Sequence, residues 1–404
     1  MRHITLLRTG LLIASGLLTV ATAAPGQRIV HVATARELQS AVRFANRTGG
    51  HLSIALAPGI YALSDTLVVL APYVTLEGPP GGAARVIVQG DGMSAHARIG
   101  NIIRVSGAHF ELRDMTLRRS RYHLIQIAGE DGAEAPTIRD CILEDAYQQL
   151  LKVSVSAAHP ADTSNGGLVA NCLFEYTAGV GPEYYIGGID AHGAKHWIVR
   201  GNTFRNIASP SGSVAEFAIH FWDGSADDLI ERNLIIDCDR GIGFGLGHKP
   251  NHGGVIRNNM IFHGPRAGRF ADVGIALADS PGTEVYNNTV LLESGYPNAI
   301  EYRFAGTRGA HIVNNLTNEA ITERDGASAA LSHNVTDARP GWFANPATGD
   351  LRLAAAVPGV VRSGEPLADL ADDFDGNARP AGQPPDIGAD EWLGPIRGIT
   401  KPGP

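Results

Sequence analysis

Lysine occurs four times in this 404-residue chain, as Lys152, Lys195, Lys249 and Lys401. Lys152 falls in one of seven short segments that share a register: LIQIA (124–128), LLKVS (150–154), GIDAH (188–192), AIHFW (218–222), GIGFG (241–245), GIALA (274–278) and AIEYR (299–303). With the second residue of each pointing inward, period-two alternation sends the third and fifth outward. Lys152, Asp190 and His220 then stack in one outward column, and Ser154, His192 and Trp222 in the next. A lysine, a carboxylate and two imidazoles about 5 Å apart supply a base, an acid and a cation. That set suits removal of a proton from a carbon next to a carboxylate, where the negative charge must be neutralised as it forms.

In this reading His192 or His220 is the base and Lys152 the alternative base or acid, with Asp190 beside them. Arg121, Arg303 or a bound cation neutralises the substrate carboxylate, an arginine preferably by a bidentate pair. Trp222 offers a ring face to a sugar, and Tyr184 or Tyr185 serves as acid. Each residue also has a plainer reading. His192, followed by Gly193, can cover a turn, and Lys152 with Asp190 can be a surface ion pair of little energetic consequence. Trp222 can cap an apolar patch, and Glu301 and Arg303, set apart from the others, can be solvent-facing charges. Glu216 and Asp239, two residues back on the same face, are a weaker expectation for a calcium site, since stacked carboxylates repel unless a cation lies between them. The HKPNHGG stretch (His248, Lys249, His252) forms a loop beside the cluster or simply a longer turn.

The elements that must hold these residues are announced by a repeat. Eight segments share a pattern of apolar positions around an Asn or Asp: Asp114, Asp140, Asn171, Asn202, Asn233, Asn259, Asn288 and Asn315, spaced by 26, 31, 31, 31, 26, 29 and 27 residues. Asn334, 19 residues on, starts a shortened last turn. Such a period signals a solenoid, and three short β-branched strands per unit, divided by Gly, Asn, Asp and Ser turns, make a coil of parallel β-helix. Asparagine suits the corner because it tolerates the left-handed conformation and its amide can bond the next copy. The 49 glycines belong to the corners. The spacing Leu38, Val42, Ala45 with Thr34 as N-cap predicts a short helix over the open N-terminal end. The Asp-, Gly- and Pro-rich tail DDFDGNARPAGQPPDIGADEW is expected to close the other end, with Asp372, Asp373, Asp375 and Asn377 as cap residues.

Residues 1–23 read as an export signal: Arg2 and Arg8, an apolar stretch from Leu11 to Val20, and the A-x-A-like Ala21-Thr22-Ala23. That stretch is too short to span a membrane, so an exported, periplasmic or extracellular protein without a membrane span is expected. A net charge of −8 and a pI near 6.0 argue against nucleic acid as a partner. Cys141, Cys172 and Cys238 lack metal-ligand spacing and read as buried thiols, or as a Cys141–Cys172 bridge between neighbouring coils. The expected organisation is signal peptide 1–23, N-terminal cap 24–50, β-helix 51–340 and C-terminal segment 341–404.

APGIYALSDTL after a short helix, the N-N-x-[IVL] ladder and the terminal D-x-DG…R-P…DIGADE resemble secreted bacterial right-handed parallel β-helix proteins of the pectate-lyase-like superfamily. The N-terminal part is similar to the alginate- and chondroitin-lyase branch. The resemblance implies one all-β solenoid acting as a monomer on a polysaccharide, and it extends over lyases, C5-epimerases, hydrolases and catalytically silent members. Joined to the residues above, it makes cleavage by β-elimination or C5-epimerisation of a uronic-acid polymer the leading expectation. A hydrolase or transferase using Asp190, Asp223 or Glu301 and a non-catalytic glycan-binding surface protein are the alternatives.

Overall fold

The computed structural model describes residues 20–23, 27–265 and 271–394. Most of the expected signal, residues 1–19, and the residues just after its junction lie outside the described residues. Among the described residues no helix is long and apolar enough to cross a membrane.

The chain winds into a parallel β-solenoid with three long sheets. Among the described residues sheet I has thirteen strands, sheets II and III ten each, and a four-stranded ribbon runs along one corner. Within sheet III the strands stack in chain order from Leu67–Val69 to Ala320–Arg324. Their inward residues, Ile125, Leu151, Ile189, Ile219, Ile242, Ile275 and Ile300, form a file of fully buried side chains in one continuous core. A strand buried on its inner face cannot slip by one residue without exposing that file, which fixes the register of everything on the outer face.

Helix α1 (Ala35–Thr48) covers the N-terminal end with Leu38, Ala41, Val42 and Ala45. The Thr34 hydroxyl accepts the Glu37 amide at 3.2 Å, and the Glu37 carboxylate accepts the Ala33 amide at 2.8 Å. This is a reciprocal cap, and Gly49 ends the helix in the left-handed conformation.

The asparagine repeat resolves into two adjacent positions with separate tasks. Asn202, Asn233, Asn259, Asn288, Asn315 and Asn334 form the buried ladder, each Nδ2 donating to the next Oδ1 at 3.0 Å. The left-handed corner is the residue before it: Gly201, Arg232, Asn258, Asn287, Asn314 and His333. In the first three coils Asp114, Asp140 and Asn171 take that corner position. Met115, Cys141 and Cys172 take the ladder position, so the expected alignment is displaced by one residue there. An apolar or thiol side chain fills the ladder space in those coils. The three cysteines are free thiols, and burial pushes the Cys172 thiol well above its ordinary range.

The C-terminal segment lies along the side of the solenoid, where closure of its end was expected. Phe343, Leu351, Val360 and Ile387 pack on the outward apolar residues Ile236, Met260, Phe262, Leu291 and Leu316. The corner asparagines anchor it: Asn258 donates to Asp372 O, Asn287 to Asp386 O and Asn314 to Glu365 O, each at 2.9 Å. Arg379, buried, binds Glu391 at 2.8 Å and Asn258 Oδ1 at 3.1 Å.

Candidate active site

Strand pairing in sheet III sets Lys152 against Asp190, Asp190 against His220, and His192 against Trp222. The Lys152 ammonium donates to Asp190 Oδ2 at 2.5 Å and to His192 Nε2 at 2.7 Å. An ammonium has donors only, so His192 Nε2 accepts and its proton resides on Nδ1, which faces Asp223 Oδ2 at 3.2 Å. His192 is thereby a neutral imidazole with its lone pair aimed into the cluster and its far edge held by a carboxylate. Two of the three Lys152 N–H bonds are used, which leaves one for a ligand.

Asp190 lies on the outward column yet is 2% exposed. Trp222 covers it, its indole N–H donating to Asp190 Oδ1 at 2.7 Å. Burial alone would raise this carboxyl. The Lys152 ammonium beside it outweighs burial and holds it well below the usual carboxylate range. Asp190 is therefore a fixed anion, not a proton donor.

His220 is fully buried. It donates from Nε2 to Gly245 O at 3.1 Å and faces Glu216 Oε2 from Nδ1 at 3.6 Å. Trp222 stacks on it at 5.3 Å and 6° between planes. A ring with no access to solvent cannot reach a substrate proton, so His220 supports Trp222, and of the two candidate bases His192 is the one open to the surface. His192 touches the same indole from above, at 4.2 Å.

The 246–252 turn does border the cluster. Lys249 is half exposed and pairs with Asp223 at 3.1 Å. Its ammonium lies over the Trp222 ring at 4.8 Å. Tyr184 and Tyr185 are exposed on the neighbouring 176–188 loop. Burial and the charges of Asp190 and Glu216 push the Tyr185 phenol up, so it keeps its proton. Arg121 stands at the corner one coil earlier with its guanidinium over Tyr122 at 4.9 Å. Arg303 is three coils beyond Trp222 and bound to Asp325 at 2.9 Å, so it does not join the cluster.

Glu216 and Asp239, the pair expected for calcium, are both engaged by protein groups. Asp239 Oδ2 accepts the Ser209 and Ala215 amides at 2.8 and 3.0 Å, tying down the 209–215 loop. Glu216 already faces Arg240 at 3.7 Å and the His220 ring at 3.6 Å. Among the described residues no group of three His, Cys, Asp or Glu side chains is placed to hold a metal ion.

Three neighbours of the cluster were not anticipated. His123, on the strand-entry turn of the coil before Lys152, donates to Gln149 O at 3.3 Å. Burial, with the Lys152 charge, lowers its pKa to about 4. Phe217 packs over Gly243, where a Cβ would come within 2.7 Å of the ring, and Arg240 lies on Phe217 at 4.4 Å. The glycine in the otherwise polar column was the available signal for that close approach.

Residues 101–317 match the family described as the right-handed beta helix region, more than half of the chain, and the chain belongs to that family. Similar solved structures include a mannuronic-acid-specific polysaccharide family 6 lyase from human gut microbiota, at 14% identity and TM-score 0.50. That match covers 75% of this chain and 80% of that one. The A-module of a mannuronan C-5 epimerase from Azotobacter vinelandii is similar at 13% identity and TM-score 0.42, covering 76% of this chain and 95% of that one. The tailspike protein of E. coli bacteriophage HK620, solved with a pentasaccharide, is similar at 12% identity and TM-score 0.49, over 74% and 61% of the two chains. At these identities the likeness is one of fold. No curated protein matches the chain.

Proposed function

We propose that this protein acts on an acidic, uronate-containing polysaccharide by taking the proton at C5, next to the uronate carboxylate. The observation that carries the reading is the His192 lone pair, 2.7 Å from the Lys152 ammonium, with the opposite ring nitrogen held by Asp223. An incoming carboxylate competes for the Lys152 ammonium and for half-exposed Lys249, which frees the lone pair and neutralises the carboxylate together. The C5 proton passes to His192 Nε2. In β-elimination the C–H electron pair becomes the C4–C5 double bond, the C4–O bond breaks, and the Tyr185 hydroxyl protonates the leaving oxygen. In epimerisation a proton returns to the opposite face of C5. Asp190 keeps Lys152 charged and placed, and Trp222 shields that pair from water.

Two shifts weigh against glycoside hydrolysis. Its general acid must hold a proton near neutral pH, whereas Asp190 and Glu216 are both shifted down. Incubation with a panel of homopolymeric and mixed polyuronates and neutral glycans tests the reading. Unsaturated-sugar absorbance with cleavage marks elimination, and C5 inversion without cleavage marks epimerisation. Reducing ends without absorbance, or no change on any uronate-containing polymer, homopolymeric or mixed, would overturn it.

A further inference from the structure

A cavity of about 280 Å³ opens on the same outer face of sheet III, beyond Phe217. Ala276, which follows Gly243 on the polar column, lies in its floor and pairs with Glu301 beyond it. Ala276 lies two strand spacings past His220, about 10 Å along the solenoid axis. The volume is at the small end of ligand sites and suits a single sugar ring. Phe217, Val273 and Ala276 give it an apolar patch, with Tyr296 and Phe304 completing the wall.

The arginines lining this cavity are already engaged, unlike the spare Lys152 N–H of the first cluster. Glu301, 2% exposed, accepts from Tyr296 Oη at 2.6 Å, Asn298 Nδ2 at 2.7 Å and Arg324 at 2.9 Å. Arg303 is bound to Asp325, and Arg240 to Ala215 O with Glu216 nearby. Asp272 lines the same cavity, so with each arginine there already facing a carboxylate the local field is negative. A uronate carboxylate would add a further anion to that field. An uncharged ring gains instead from stacking its C–H face on aromatic walls and from the polar rim.

We propose that this cavity binds an uncharged pyranose residue of the same polymer whose uronate occupies the Lys152–His192 cluster. The substrate is then a heteropolysaccharide mixing uronate with neutral sugar, not a homopolyuronate. This rests on the proposed function for its first site but not for its second. Two measurements on the full-length protein separate them: NMR-detected binding of methyl glycosides of neutral hexoses, N-acetylhexosamines and uronates, and turnover of homopolyuronates against mixed polymers.

Ala276→Phe fills the floor, and Ala276→Ser is the control for folding. Neutral glycosides are expected to bind wild type, Ala276→Ser and His192→Ala alike, and to bind Ala276→Phe at least about tenfold more weakly. Ala276→Phe should also raise KM for the mixed polymer. Neutral binding that ignores Ala276→Phe, uronosides displaced by that substitution, or faster turnover of homopolyuronate than of mixed polymer would overturn the proposal. Neutral binding sensitive to Ala276→Phe in a protein that turns over no polymer would sink the catalytic reading and leave this site standing.

Discussion

Two stacks of polar side chains run along this solenoid, one coil apart in each, and they behave in opposite ways. In the corner ladder from Asn202 to Asn334 identical residues repeat. Each amide oxygen accepts the preceding Asn side chain and backbone amide, and each amide nitrogen donates onward. Nothing is left over, so the ladder holds the coils together and does no chemistry. In the outer column of sheet III unlike residues follow one another, and their needs do not cancel. Lys152 keeps a donor, and His192 keeps a lone pair whose present partner can be drawn away. A parallel stack is saturated when its members match and poised when they differ.

The contrast can be broken most forcefully at His192. His192→Ala should cut turnover about 10²–10⁴-fold, the usual worth of a positioned base, while thermal unfolding stays close to wild type. A normal rate would remove His192 from the chemistry. Lys152→Met should leave Asp190 as a buried, unpaired anion and destabilise by about 3–5 kcal/mol in urea unfolding. Adding Asp190→Asn should restore most of that. Because the Asp190 carboxyl is held below its ordinary range, its contribution is present above about pH 4 and fades as pH falls further. The gap between wild type and Lys152→Met should shrink on acidification. A gap that widens in acid would reverse the assigned sign.

In the saturated stack the expectation is purely structural. Asn259→Ala strips the acceptor from the Asn233 amide and side chain, at about 1–3 kcal/mol for each buried donor left unmet. Calorimetry should register the loss while kcat per folded molecule is unchanged. The last test concerns His123. With its folded pKa lowered to about 4, the unfolded chain takes up a proton near pH 6.5 that the folded one refuses. Stability should therefore fall as pH drops from about 6.5 to 4, by at most about 1.4 kcal/mol per unit. His123→Gln should flatten that slope, and an unchanged slope would place its origin elsewhere.

Much of this was legible before any coordinates, for identifiable reasons. The outer column could be aligned because Leu151, Ile189, Ile219 and Ile242 are locked inward, and parallel register then carries Lys152, Asp190 and His220 into line. Burial was the part that alternation could not convey. An outward position is exposed only if nothing crosses it, and Trp222 and Phe217 cross Asp190 and His220. The asparagine pattern showed the coil but merged two neighbouring positions, since Asp114, Asp140 and Asn171 satisfy a left-handed corner as well as an asparagine satisfies the ladder. The course of the C-terminal segment was hidden altogether. Its anchors, such as Arg379 on Asn258, join residues 121 apart, and no local periodicity encodes such a contact.

The most direct test of the proton-transfer account is to follow the C5–H signal of a uronate-containing polysaccharide by NMR in D2O, with wild type and His192→Ala side by side. Wild type should erase that signal, through an unsaturated product or a C5-deuterated epimer, while His192→Ala leaves it in place. Loss of the signal at equal rates in both, or new chain ends with C5–H intact, would contradict the account.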